Sequence, residues 1–146
     1  GWPRRLPPAR QVKSTYLAVR GRSPPVKQVD AAIRIAQQCD IPIKIAAKID
    51  AVDRAYFERD IRPLLDSPLV EYIGEINDQE KTTFLSGALA LLFPIEWPEP
   101  FGLVMIEAMA FGTPVIAFPF ASFPHVIEDG FTSFVARHVA EALPAD

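Results

Sequence analysis

Thr15-Tyr16-Leu17-Ala18-Val19-Arg20, stopped by Gly21, and Ile43-Lys44-Ile45-Ala46-Ala47 are two short, mostly apolar runs separated by a stretch of helical periodicity, Val29 to Gln38. Within that stretch Val29, Ala32, Ile33 and Ala36 recur at the spacing of one helix face. Asp40 closes the helix before Ile41-Pro42. A strand, a helix and a strand within so short a span predict a βαβ unit, whose strands lie parallel and feed a sheet covered by its own crossover helices.

The alternation continues on the carboxyl-terminal side. Arg54 to Leu65 has Ala55, Phe57, Ile61 and Leu65 on roughly one side, with Pro63 expected to tighten or break the last turn. Val70 to Ile73 reads as a third strand ending at Gly74, and Asn77 or Asp78 can cap a helix running to about Gly87. Leu89 to Pro94 is a continuous apolar strand. Beyond it come an apolar helix over Gly102 to Ala110, a fifth strand over Pro114 to Phe118, a short helix near Pro124 to Glu128 and a sixth strand over Phe131 to Val135. The pattern predicts an α/β fold: a doubly wound, Rossmann-like parallel sheet of about six strands in three layers. With the common strand order 3-2-1-4-5-6 assumed, ligands belong at the carboxyl ends of the first and fourth strands, where the order reverses. The loops leaving those strands are Gly21 to Gln28 and Ile95 to Phe101.

The 146 residues, 49% hydrophobic and 23% charged, suit one globular domain. A net charge of −3 argues against a nucleic-acid-binding surface. Cys39 is the single cysteine, which fits a cytoplasmic setting, and no apolar run is long enough for a transmembrane segment. His125 and His138 with that cysteine make no plausible metal cluster. Residues 1–13, with Pro3, Pro7, Pro8, Arg4, Arg5 and Arg10, read as a linker remnant, and 14–146 as the folded domain.

The chemistry concentrates in Glu96-Trp97-Pro98-Glu99-Pro100-Phe101-Gly102-Leu103-Val104-Met105-Ile106-Glu107-Ala108-Met109-Ala110. Glu107 is the one charged side chain from Gly102 to Ala110, and a carboxylate in such a setting needs hydrogen-bond donors. The N–H groups near Phe101 to Val104 and the positive end of the expected helix favour an anion, and Gly102 admits one close to the backbone. Arg22 and Lys27 follow the first strand, at the same end of the sheet. Cations and a helix front suit a diphosphate, while Glu107 and Glu99 suit hydroxyl groups; together they fit a nucleotide sugar. Against this stand plainer readings: Arg22, Lys27 and Glu99 as solvated surface charges, and Glu107 as half of a buried ion pair with an arginine elsewhere.

These residues resemble the carboxyl-terminal, donor-binding domain of group 1, or family four, retaining glycosyltransferases, which have two facing Rossmann-like domains (the GT-B type). Glu99 and Glu107 reproduce a Glu-x7-Glu signature followed by Gly112-Thr113-Pro114-Val115-Ile116-Ala117; Gly21-Arg22 and Lys27 reproduce a second motif, and Val126-Ile127-Glu128-Asp129-Gly130 a third. The resemblance implies that Arg22 and Lys27 hold the donor diphosphate and that Phe101, Gly102, Leu103 and Val104 line the donor site. It further implies that Glu107 accepts from the ribose, and that Glu99 binds the transferred sugar as the residue nearest the chemistry. The donor implied is a UDP-, GDP- or ADP-sugar, transferred with retention, with no cofactor and no metal, to an acceptor held by an amino-terminal domain missing here. An isolated donor half would then bind without turning over. The sequence departs from the family pattern at Gln28, where a Gly is usual, at Phe120-Ala121-Ser122-Phe123-Pro124-His125, and at Ser133. These departures keep open a degenerate, noncatalytic nucleotide-binding or interaction domain. A dinucleotide-dependent oxidoreductase would share the fold, but no G-x-G-x-x-G follows the first strand.

Overall fold

A computed structural model describes residues 16–22, 24–95, 108–110, 112–119, 133 and 137. Its elements run in the order β1 (Leu17–Gly21), α1 (Val26–Cys39), β2 (Ile43–Ala47), a helical run α2 over 51–66, β3 (Val70–Tyr72), α3 (Asp78–Ser86), β4 (Ala90–Ile95), β5 (Ala108–Ala110) and β6 (Thr113–Pro119). They build a six-stranded sheet in the order β3-β2-β1-β4-β6-β5. Five strands are parallel, with Leu17 to Gly21 of β1 opposite Ile43 to Ala47 of β2, and Leu91 to Ile95 of β4 opposite Val115 to Pro119 of β6. The expected Rossmann-like α/β sheet is present, and chain order reverses between β1 and β4.

The two faces of the sheet follow from strand alternation. Leu17 and Val19 of β1, Ile43, Ile45 and Ala47 of β2, and Leu92 and Ile116 pack with Val29, Ile33 and Ala36 of α1 and with Phe57 and Ile61 of α2. Tyr16, Ala18 and Ala46 point the other way, against Phe84, Leu85 and Ala88 at the end of α3. The result is three layers with unequal cores. Among the described residues the α1 side holds branched aliphatics at 0% exposure, such as Ile33, Ile43 and Ile45, while the α3 side holds alanines, Leu85 and one tilted ring pair, Tyr16 with Phe84.

Local chemistry explains the helix ends. Asp40 takes a left-handed conformation at φ 58° and its N–H turns back to the carbonyls of Ala36 and Gln37, which stops α1. Asn77 forms a capping box with Glu80: the Glu80 N–H donates to Asn77 Oδ1 at 2.8 Å, and the Asn77 N–H donates to Glu80 Oε1 at 2.9 Å. The run α2 changes pitch three times, from a 3-10 turn at Ala51–Asp53 through an α turn at Arg54–Tyr56 and a π turn at Phe57–Ile61 to a second 3-10 stretch at Arg62–Asp66. Pro63 lies in that last, tightened stretch, as its missing N–H requires.

Two expectations need correction. The helix expected over Gly102 to Ala110 does not extend to its end: Ala108–Ala110 is a short strand antiparallel to β6, with Ala110 opposite Thr113. Gly112 at φ +79° makes the reversal possible, because the chain turns back within two residues through a conformation that side chains resist. The expected sixth strand over 131–135 also fails at its one described residue, Ser133, which is helical; the outer place in the sheet belongs to β5. The short helix expected near Pro124 lies outside the described residues.

Candidate functional site

The carboxyl end of β1 is where the site's described residues stand. Gly21 closes the strand with the Pro24 ring packed against it: a Cβ at Gly21 would sit 3.0 Å from Pro24 Cδ and Cγ. A side chain there would push the ring away, so glycine lets the chain fold back directly into α1. Pro24 and Pro25 have rigid φ, and Gln28 N–H donates to the Pro25 carbonyl at 2.9 Å as the first turn forms. The helix therefore starts without the Gly that the family motif usually has at position 28. Val26 is buried and anchors this start, while Arg22 and Lys27 on either side of it are exposed. Helix α1 begins with no side-chain cap and no acidic residue in its first turn. Its positive end and the nearby cations act in the same direction.

Arg20 is a residue that motif reading passed over. It is the penultimate residue of β1, half-buried, and its Nε is sealed from solvent with no hydrogen-bond partner. Alternation puts it on the α3 side with Ala18, and it lies opposite Ala46 of β2. The available signal was a cation inside a parallel strand, one residue before the glycine that ends it.

Several described cations elsewhere are paired. Arg34 lies on Asp30 at 2.7 Å, Lys44 on Glu71 at 3.8 Å, Arg62 on Glu58 at 2.6 Å and Arg59 on Asp60 at 2.8 Å. Arg20, Arg22 and Lys27 form no ion pair with any described carboxylate. Among the described residues, these cations within eight residues of sequence and beside an uncapped helix start would favour an oxyanion.

Of the residues expected in the site, Arg22 and Lys27 are therefore placed at one end of one strand, beside the point where strand order reverses. Glu99, Phe101, Gly102, Leu103, Val104 and Glu107 lie outside the described residues. Among the described residues no group of three or more His, Cys, Asp or Glu stands together as a metal ligand set, and no described helix is long and apolar enough to cross a membrane.

A groove of about 470 Å³ runs along the flank of α3, over the β2–β3 side of the sheet and away from these cations. Its walls include Tyr16, Ile73, Ile76 and Phe84, and its charged groups are already engaged: Lys44 stands 4.4 Å over the Tyr16 ring and beside Glu71, while Glu80 closes the capping box. Chemistry and cavity thus separate, and the unmatched charge is at the strand end.

Residues 6–145 match the family described as glycosyl transferases group 1. The chain is 38% identical over 78 residues to an uncharacterized 41.2 kDa protein in the cps region of Klebsiella pneumoniae, covering 53% of this chain and 22% of that protein. It is 36% identical over 61 residues to the phosphatidyl-myo-inositol mannosyltransferase of Mycobacterium leprae, covering 42% of this chain and 16% of that enzyme. Against the D-inositol 3-phosphate glycosyltransferase of Streptomyces scabiei it is 33% identical over 69 residues, 47% of this chain and 15% of that enzyme. The matched stretch is thus under a quarter of the length of each of these curated relatives. With the family match running over nearly all of a doubly wound sheet whose unmatched cations stand at its switch point, the chain belongs to the group 1 glycosyltransferases.

Proposed function

We propose that this chain is the carboxyl-terminal, donor-binding half of a retaining glycosyltransferase of the two-domain GT-B type, and that it binds the nucleoside diphosphate part of a UDP-, GDP- or ADP-sugar. The observation that carries the reading is the set of unmatched cations at the carboxyl end of β1, beside the uncapped start of α1. A diphosphate brought there meets Arg22, Lys27 and backbone N–H groups whose desolvation no side chain has yet offset.

In this reading Arg22 and Lys27 take up the charge that grows on the diphosphate as the bond to the sugar breaks, an electrostatic role filled by protein groups with no metal ion and no cofactor. Glu107 accepts from the ribose hydroxyls, the backbone from Phe101 to Val104 faces the distal phosphate, and Glu99 holds the sugar hydroxyls that fix the anomeric carbon. The relatives' names mention mannosyl transfer and an inositol 3-phosphate glycosyltransferase, which fits a hexose donor here. The acceptor belongs to a second domain, with residues 1–13 as the linker toward it, so residues 14–146 alone bind donor without transfer.

Titration calorimetry of the folded chain with UDP, GDP and ADP tests the reading. One of the three should bind below millimolar concentration. Glu107→Ala and Lys27→Ala should each weaken it about tenfold or more, given the strength of charge-assisted hydrogen bonds, and Glu58→Ala, an exposed change on α2, should not. Absence of binding by all three at millimolar ligand would leave a noncatalytic copy of the fold as the better description.

A further inference from the structure

Arg20 has no function in the motif, and its surroundings do not explain it. On the side of the sheet that it faces, the described cluster of Ala18, Ala46 and Leu85 is apolar, and no described carboxylate pairs with Arg20. The charged pair on that side, Lys44 with Glu71, is closed on itself at the β2–β3 edge. A guanidinium whose Nε is buried without a partner is unfavourable, and such a group in a native structure asks for the partner that offsets it. Arg22 stands two residues on and is also unmatched, so the two like charges repel until an anion arrives between or beside them. The planar guanidinium of arginine presents paired N–H donors as a fork that fits two oxygens of one phosphate, a geometry lysine lacks. Position completes the argument: the carboxyl end of a central strand at the switch point is where ligands of such sheets sit.

We propose that Arg20 is a third cation of the donor site, gripping a diphosphate through its guanidinium and making the site select nucleoside diphosphates over monophosphates. The proposal rests on the donor-binding reading above and adds a residue to it. Arg20 reaches the ligand from the strand itself, so it is held more rigidly than Arg22 on its loop, and it contributes selectivity in addition to charge.

Calorimetry on the full chain with ADP, GDP and UDP, and with the corresponding monophosphates, provides the test. Arg20→Met should weaken the bound diphosphate about tenfold and change monophosphate affinity less than twofold. Arg20→Lys should recover only part of the loss, since it restores charge and not the fork. If Arg20→Met leaves diphosphate affinity within twofold while Arg22→Met and Lys27→Met lower it, Arg20 is outside the site and the donor reading stands without it. Equal losses for monophosphate and diphosphate, together with a lower melting temperature, would make Arg20 a structural residue and overturn the proposal. No diphosphate binding by the folded wild-type chain would overturn both readings. Should Arg20→Met fail to fold by circular dichroism, Arg20→Lys decides alone: undiminished diphosphate affinity in that variant overturns the fork.

Discussion

Single side chains on the α3 side of the sheet tie its elements together. Tyr16 donates from its hydroxyl to the Phe84 carbonyl at 2.7 Å, a buried bond between the start of β1 and the end of α3, and Thr113 does the same for the Leu85 carbonyl from β6. The Tyr16 bond satisfies a carbonyl in the last turn of α3, where helix bonding ends, and Thr113 adds to the Ala88 N–H that already reaches the Leu85 carbonyl at 3.1 Å. Tyr16→Phe keeps the ring packed on Phe84 and removes only the donor, so it should lower unfolding free energy by about 1–3 kcal/mol, the cost of an unsatisfied buried acceptor. Urea denaturation followed by circular dichroism measures this directly. At the β1 end, Gly21→Ala forces the Pro24 ring to move, because a proline ring cannot swing aside as a long flexible side chain does. It should weaken nucleoside diphosphate binding through displacement of the loop that carries Arg22, in the same calorimetric titration, with the parent fold retained.

At the scale of elements, the capping box at the start of α3 sets where that helix begins. Asn77→Ala removes the acceptor for the Glu80 N–H and should cost about 1 kcal/mol, read as a lower urea midpoint with unchanged slope. Legibility in the sequence varied by element for physical reasons. Strands β1, β2 and β4 and helix α1 were readable because Gly21, Asp40, Pro42 and the apolar periodicity all pointed one way. The π turn at Phe57–Ile61 was not, since shifting one turn from i→i+4 to i→i+5 bonding barely alters which face is apolar; Pro63 foretold only the tightening after it. Ala108-Met109-Ala110 misled because a short apolar run has no period that separates a buried helix from a buried strand, and Gly112 was the one sign of a turn. In the site, the Arg22 to Lys27 spacing was legible as a motif, whereas Arg20 was hidden by lying inside a strand pattern, where charge is read as noise.

For the whole molecule, burial of weak acids ties stability to alkaline pH. Burial pushes the Cys39 thiol up to about 11 from an ordinary value of 9.0. Burial also raises the Tyr16 hydroxyl, with Glu71 adding repulsion of the phenolate, and burial raises Tyr72 as well. All three are bound to their protons more firmly when folded than when unfolded. Their contribution to stability is therefore fully present below pH 9 and is lost as pH rises, first through Cys39 between 9.0 and about 11 and then through the tyrosines above 10.0. Melting temperature should stay level from pH 7 to 8.5 and fall from pH 9 upward, and Cys39→Ala should flatten the first part of that fall. The sheet that these groups help to hold has an outline with its own effect. Its outermost strands, β3 and β5, are three residues each, and Glu71 of β3 stands exposed against Lys44. A foreign strand arriving at either described border finds only a few free backbone groups to pair with, and at one border a charge as well. The same brevity that makes these strands minor parts of the core makes both described borders poor templates for chain-to-chain growth.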